Sequence, residues 1–345
     1  MKVAVQLRPL LVRPGARFAC FGDGLCCTDL HLLGPLTRPE VKRLRMFDPA
    51  VVVRSQALDA HVLRTVAGGG CVFLDGGCAL HRELGPMGKP TGCRRFPFRL
   101  VATPAGGRVI TEHRCPCRTL GDRPSLSIEE AEASLRDDGG RLHADHRVGD
   151  RVKLARGKSV TFGSFSRSES RWLSRTLAGD DLVTALEATP FPDLAEASWL
   201  DLAHEYRSRI DGSACGDAMA WFGDVLLALA PGGRPLRTPR NRPWAPAFDR
   251  AQARSPNKRR AADVLSDWAA DVLWSLDWTQ IGSAAAGRAE LVTRWTVAKT
   301  ITERLRADGA REDRAAAEAV SIVEIVGAGG LWQSITKSID RSLPR

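Results

Sequence analysis

Gly70-Cys71-Val72-Phe73-Leu74-Asp75-Gly76-Gly77-Cys78 sets two cysteines seven residues apart around a turn. Asp-Gly-Gly is strong turn chemistry, so the chain is expected to double back and aim both sulfurs at one point. Upstream stand Cys20 and then the doublet Cys26-Cys27. Downstream come Cys93, within Cys93-Arg94-Arg95-Phe96-Pro97, and Cys115-Pro116-Cys117. In an extended segment residues i and i+2 point the same way, so this last pair is expected to suit chelation. Eight of the nine cysteines lie at or before Cys117, and Cys215 stands apart.

Three readings of this constellation compete. A disulfide framework belongs to small secreted chains; this chain has 345 residues, and its first fifteen are interrupted by Arg8, Arg13 and Pro14 rather than forming an apolar signal. Buried thiols explain single cysteines, not eight at turn-rich positions. Metal ligation fits best, because thiolates are the natural ligands of zinc and of iron–sulfur clusters. Paired zinc ribbons carry C-x₂-C knuckles, which are absent here. The uneven spacing and the Cys26-Cys27 doublet therefore favour an iron–sulfur cluster, with zinc as the alternative. The candidate ligands are Cys20, Cys26, Cys27, Cys71, Cys78, Cys93, Cys115 and Cys117. Nearby Arg94, Arg95, Arg114 and Arg118 would offset thiolate charge for either metal. His81 and His113, each close to a cysteine, are further candidates or polar neighbours. His143 and His146, in a charged stretch, are expected to be exposed.

The net charge of +10 invites a nucleic-acid reading, but its location argues against one. Positions 231–260 hold nine Lys or Arg and one Asp, leaving the rest nearly balanced. Those nine are Arg234, Arg237, Arg240, Arg242, Arg250, Arg254, Lys258, Arg259 and Arg260, in a proline-rich loop expected to be a solvated linker. Nucleic acid is not an expected partner. No apolar run is long enough for a membrane span, and a reducing cytoplasm is the expected compartment.

Tryptophan is distributed oppositely to cysteine, with all nine between Trp172 and Trp332. Ligation is thus expected to knit the front and an apolar core the back. In front, positions 3–7 and 109–111 read as strands. Thr37-Arg38-Pro39-Glu40 reads as a capping box with proline in the first turn. A second box, Ser127 to Glu130, starts a helix running to Gly139 and Gly140. Positions 152–154 and 159–162 form a hairpin about Gly157. In the back, Leu265, Trp268, Val272 and Leu276 make one helical stripe over 260–278, with Asp263, Asp267 and Asp271 on another face. Leu291, Trp295, Ala298, Ile301 and Leu305 mark a helix over 290–308, with Gly309 as C-cap. A further helix covers 314–326, and an apolar helical stretch, 215–230, begins at Cys215, read as a core thiol.

Other catalytic motifs fail. Gly157-Lys158-Ser159 lacks the P-loop glycine, since Val152 stands in its place. His204-Glu205 has no second zinc-protease histidine. There is no G-x-G-x-x-G and no C-x₃-C-x₂-C.

Phe18-Ala19-Cys20 with Gly24-Leu25-Cys26-Cys27, Gly70 to Asp75, Cys78-Ala79-Leu80-His81 and Cys93 to Pro97 resemble the YkgJ-type cysteine-cluster family, described as zinc- or iron-chelating. The usual further cysteine between the first and the doublet is missing from Phe21-Gly22-Asp23-Gly24-Leu25. The pattern also resembles the flagellin lysine-N-methylases, which share a cysteine–proline element like Cys115-Pro116 and a long helical C-terminal region. That resemblance implies methylation of lysine on a protein substrate with S-adenosylmethionine.

The expected fold is mainly α: a small irregular cysteine-rich metal-binding lobe with little β (1–122), a connector with one helix and a hairpin (123–165), and an α-helical domain (166–345). The expected function is metal-cluster binding with protein lysine methylation. The alternative is a non-catalytic zinc- or iron-binding, redox-sensing module that recruits a partner. The oligomeric state is left open.

Overall fold

The computed structural model describes residues 6–20, 24–31, 33–55, 59–137, 139–234, 241–255 and 258–343. About 53% of the chain is helix and 14% strand, which makes the fold mainly α. The front half runs β1 (Leu10–Val12), α1 (Arg38–Arg45), β2 (Val52–Ser55), β3 (Ala60–Leu63), α2 (Ala79–Leu84), α3 (Thr91–Arg95), β4 (Phe98–Thr103), β5 (Gly106–Thr111), α4 (Pro116–Thr119), α5 (Ile128–Leu135), β6 (His146–Arg147), β7 (Arg151–Ala155) and β8 (Lys158–Thr161). Helices follow to the end: α6 (Phe162–Leu177), α7 (Leu182–Leu186), α8 (Trp199–Arg207), α9 (Ala214–Leu229), α10 (Ala245–Ala253), α11 (Ala261–Ser275), α12 (Ala284–Ala307), α13 (Glu312–Gly327) and α14 (Gly330–Ser342).

A four-stranded mixed sheet, ordered β1-β5-β4-β6, is more β structure than the sequence suggested. β4 and β5 pair antiparallel from Phe98↔Thr111 to Thr103↔Gly106, and β1 adds parallel to β5 from Leu10↔Gly107. Alternate residues serve two cores, as strand geometry requires. Val101 and Ile110 join the large core of the helical half, while Leu100 and Val109 pack with Phe18, Phe98 and Ala131 on the other face. Burial on both faces removes the polar–apolar alternation that marks a half-exposed strand.

The sheet is joined to the helices by buried ion pairs as well as apolar contact. Arg108 in β5 makes a bidentate pair with Glu169 of α6 at 2.6 and 2.8 Å, and its guanidinium stacks 4.0 Å from the Trp274 ring centroid. α11 lies against β5, α6, α12 and α13. Leu265 and Trp268 face its apolar core as expected. Asp267 and Asp271 do not face solvent: both are buried and receive Arg13, just beyond β1, and Arg118 of α4.

Most local expectations match. Thr37 and Glu40 form a reciprocal capping box on α1. β7 and β8 form the hairpin, and α12 ends before Gly309, whose φ is +88°. α5 stops at Leu135, short of Gly139. Of the expected first strand, positions 3–5 lie outside the described residues, and Gln6 makes a single bridge to Thr103. The basic segment is more structured than a linker. It contains α10, with Trp244 and Phe248 buried; Arg242 pairs with Glu318, Arg259 with Asp267, and Arg260 with Asp263. Arg237 and Arg240 lie outside the described residues.

Candidate metal centre

The cysteines divide into two groups. Cys27, Cys71, Cys78 and Cys93 share a small apolar cluster with Leu33, Leu36, Val41, Leu44 and Leu80. Backbone pairing brings them there. Cys27 closes a 3-10 turn (Leu25–Cys27). Thr28 bridges Gly70, and the Cys71 amide donates to the Cys27 carbonyl at 2.7 Å. Gly69, at φ +80°, makes the tight turn ahead of Cys71; a Cβ there would lie 2.5 Å from Asp29 Oδ1, so only glycine fits. The Asp75-Gly76-Gly77 turn does what its composition predicts: Gly76 takes φ +58°, and Leu74 bridges Cys78. Cys78 then caps α2, and Cys93 sits in α3. The first amide of α3, Thr91 N–H, donates at 2.6 Å to Glu40, the capping-box residue of α1. Cys26 lies beside Cys27, with their sulfurs 4.0 Å apart.

Cys71 and Cys93 lie near enough to their neighbouring thiols for these to add to the effect of burial. Burial pushes the Cys93 thiol up to about 12, with Cys27, Cys71 and Cys78 adding to the shift. Burial pushes Cys71 up to about 11, and Cys27 and Cys78 again contribute. Buried thiols crowded together resist ionising, and a bound cation reverses that balance by making the thiolate the favoured form. Among the described residues no three of the cysteine sulfurs lie within 4.8 Å of one another, so the structure by itself closes no compact thiolate site.

Cys115 and Cys117 belong to the other core, with Phe18, Phe98 and Leu126. They are not in an extended segment. Cys115 is the N-cap of α4 and Cys117 lies within it, because Pro116 suits the first helical position. Cys20 is exposed, and Cys215 is a buried thiol at the start of α9. The structure thus gathers Cys27, Cys71, Cys78 and Cys93, with Cys26 alongside, and sets Cys115 and Cys117 in a separate core. None of the nine forms a disulfide.

A cavity of about 340 Å³ opens beside this cluster, walled by Cys26, His31, Cys93, Phe96, Arg99 and Arg114. A second cavity, about 130 Å³, lies between the sheet and the helices and is walled by Trp278, Glu290, Arg294, Glu324 and Trp332. Arg99, Glu112 and Arg114 line both. Arg99 is held by Asp277 in a bidentate pair at 2.6 and 2.9 Å, and Arg114 by Glu112.

The histidines distribute differently from expectation. His81 is exposed. His143 is exposed and bonded to Asp137 at 2.7 Å. His146 turns inward, with Nδ1 3.6 Å from Asp277. His113 is buried, 3.6 Å from Asp271 and 3.9 Å from Asp267. These three residues converge closely enough to consider a cation. Arg13, Arg118 and Arg259 already engage the two carboxylates. Three guanidiniums against two carboxylates leave the pocket positive, so it is an ion-pair network and a poor cation site. His31 was missed by sequence reasoning, because a lone histidine outside a cysteine spacing carries no signal.

No helix among the described residues is long and apolar enough to cross a membrane. No protein-family model, curated protein or solved structure matches the chain.

Proposed function

We propose that the chain holds a metal centre, an iron–sulfur cluster in preference to zinc, with Cys27, Cys71, Cys78 and Cys93 at its heart and Cys26 beside them. The observation that carries this reading is that Cys27, Cys71, Cys78 and Cys93, drawn from three separate stretches, pack together at one small apolar cluster. Burial raises the Cys71 and Cys93 thiols, and the neighbouring thiols add to that rise. Cys20, Cys115 and Cys117 are the remaining candidates for a second group of ligands.

The enzymatic reading is transfer of a methyl group from S-adenosylmethionine to a lysine of a protein substrate. It rests on the resemblance of the cysteine segments to the flagellin lysine-N-methylases. The cavity between the sheet and the helices agrees with it. Glu112, Asp271, Asp277, Glu290 and Glu324 outnumber the guanidiniums Arg99, Arg114 and Arg294 on its walls, and Trp278 and Trp332 add aromatic surface. A surplus of acid beside aromatic rings favours a cationic group.

Protein purified without oxygen should show a broad absorption band near roughly 400 nm with matched iron and acid-labile sulfide. Cys71→Ser, Cys78→Ser and Cys93→Ser should each lower bound metal; full metal content in all three would sink the ligation reading. Saturating S-adenosylmethionine should raise the melting temperature. No shift would remove the methylase and leave the non-catalytic metal-binding module.

A further inference from the structure

We propose that His31 ligates the metal centre through a ring nitrogen, in the cavity it shares with Cys26 and Cys93. This inference rests on the metal-centre reading above and adds a donor that cysteine spacing does not reveal.

The same backbone register that joins Cys27 to Cys71 positions His31. The residue ends a 3-10 turn (Asp29–His31). Asp29 N–H donates to the Gly69 carbonyl at 2.8 Å and His31 N–H to Thr28 at 3.1 Å. α9 packs against the outside of this turn. The ring lies against Phe96, centroids 5.6 Å apart, at the cavity wall.

Both ring nitrogens are closed to solvent, and neither finds a hydrogen-bond partner among the described residues. A buried nitrogen without a partner carries a desolvation penalty, and a side chain with both left unmet points to a bound ion. Burial, helped by the charge of Arg114, pushes the imidazole down to about 3, so it stays neutral at physiological pH. A neutral ring has the lone pair that a metal takes. Cys26 and Cys93 line the same cavity and are candidate donors on its wall. A neutral imidazole adds no negative charge to a buried centre, so it carries a smaller desolvation cost than a further thiolate would. Histidine ligation is established chemistry for both zinc and iron–sulfur centres.

The test starts with the unaltered full-length protein, loaded with iron and sulfide or with zinc under anaerobic conditions. X-ray absorption at the metal edge should show imidazole scattering beside the sulfur shell. For an iron–sulfur centre, pulsed paramagnetic resonance of the reduced form should show a nitrogen coupling that changes on ¹⁵N-histidine labelling. Both signals should vanish in His31→Ala and His31→Cys, with folding checked by circular dichroism. His31→Ala should also bind metal about tenfold or more weakly. A sulfur-only shell in the loaded wild type overturns the His31 assignment and leaves the thiolate centre standing. Nitrogen coupling that survives in His31→Ala likewise overturns it. A wild-type chain that takes up no metal overturns both.

Discussion

Glu40 divides its two carboxylate oxygens between two helices. Oε2 accepts from Thr37 N–H and Thr37 Oγ1, both at 2.7 Å, and Oε1 accepts from Thr91 N–H at 2.6 Å. The first contacts start α1; the second secures the short helix carrying Cys93. Burial pushes this carboxyl up, but the bonds from Thr91 and Thr37 outweigh it and hold the group below its usual range. Glu40→Ala is therefore expected to cost about 1–3 kcal/mol, the penalty for buried donors left unpaired. It should also speed metal loss to a chelator by freeing Cys93, whereas Glu40→Gln should keep most of both properties. Urea denaturation of the metal-free protein and a chelator release assay would measure the two effects; an unchanged release rate would separate Glu40 from the centre. The thiols make a second residue-scale prediction. Cys71 and Cys93 are protonated at neutral pH in the metal-free chain, given values near 11 and 12. In the proposed centre metal would displace both protons, so affinity should rise with pH. Titration calorimetry in buffers of different ionisation enthalpy should report the protons released.

At the scale of the element, α11 is the seam of the molecule. One face carries Leu265 and Trp268 into the helical core, and another carries Asp267 and Asp271 to Arg13 and Arg118. Burial pushes both carboxyls up, yet the guanidiniums win and hold Asp267 well below, and Asp271 below, the usual range. Asp271→Ala would leave buried guanidinium charge uncompensated and should cost about 3–5 kcal/mol. The sign of the pH effect follows. A carboxylate depressed by folding contributes its stability above its unfolded value, near 4, and loses it as pH falls toward the folded value. The urea midpoint should therefore drop between pH 5 and pH 3, and Asp267→Asn should drop less over that interval. An equal drop would place acid sensitivity elsewhere.

Legibility divides on the same helix. The apolar stripe of α11 is local, with neighbours three and four residues apart, and it read correctly for Leu265, Trp268 and Val272, whereas Leu276 lies just past the helix end at φ +55°. Its acidic face was placed but its partners were not, because the partner of Asp267 is Arg13, 254 residues away. The sheet is hidden for a related reason. Positions 109–111 of β5 read as a strand, but β4 is buried on both faces, so no alternation betrays it, and β1 joins β5 across nearly a hundred positions. Capping boxes and glycine turns were readable because their whole chemistry lies within four residues, as at Thr37–Glu40 and Asp75–Gly77. The thiol cluster was half readable: turn chemistry paired Cys71 with Cys78, but nothing local separated Cys93 from Cys115.

At the scale of the whole molecule, the two halves share one interior. Leu25, Leu30, Val101, Ile110 and Leu120 of the front lie in the same apolar core as α6, α9 and α11 to α14. Arg13, Arg108 and Arg118 are buried and find their carboxylates only across that boundary, on Asp267, Asp271 and Glu169. A fragment ending at residue 122 would expose the core residues and leave three guanidiniums without counter-charges. Burial of apolar area and pairing of buried charge both oppose its independent folding. Metal alone is not expected to rescue it, because the thiol cluster draws on the separate small core around Leu44 and Leu80. Fragment 1–122, reconstituted with iron and sulfide or with zinc, should therefore show poor amide dispersion by nuclear magnetic resonance and no cooperative melt. Full dispersion with stoichiometric metal would mean that ligation alone can organise the sheet, and that the buried arginines tolerate water in place of α6 and α11.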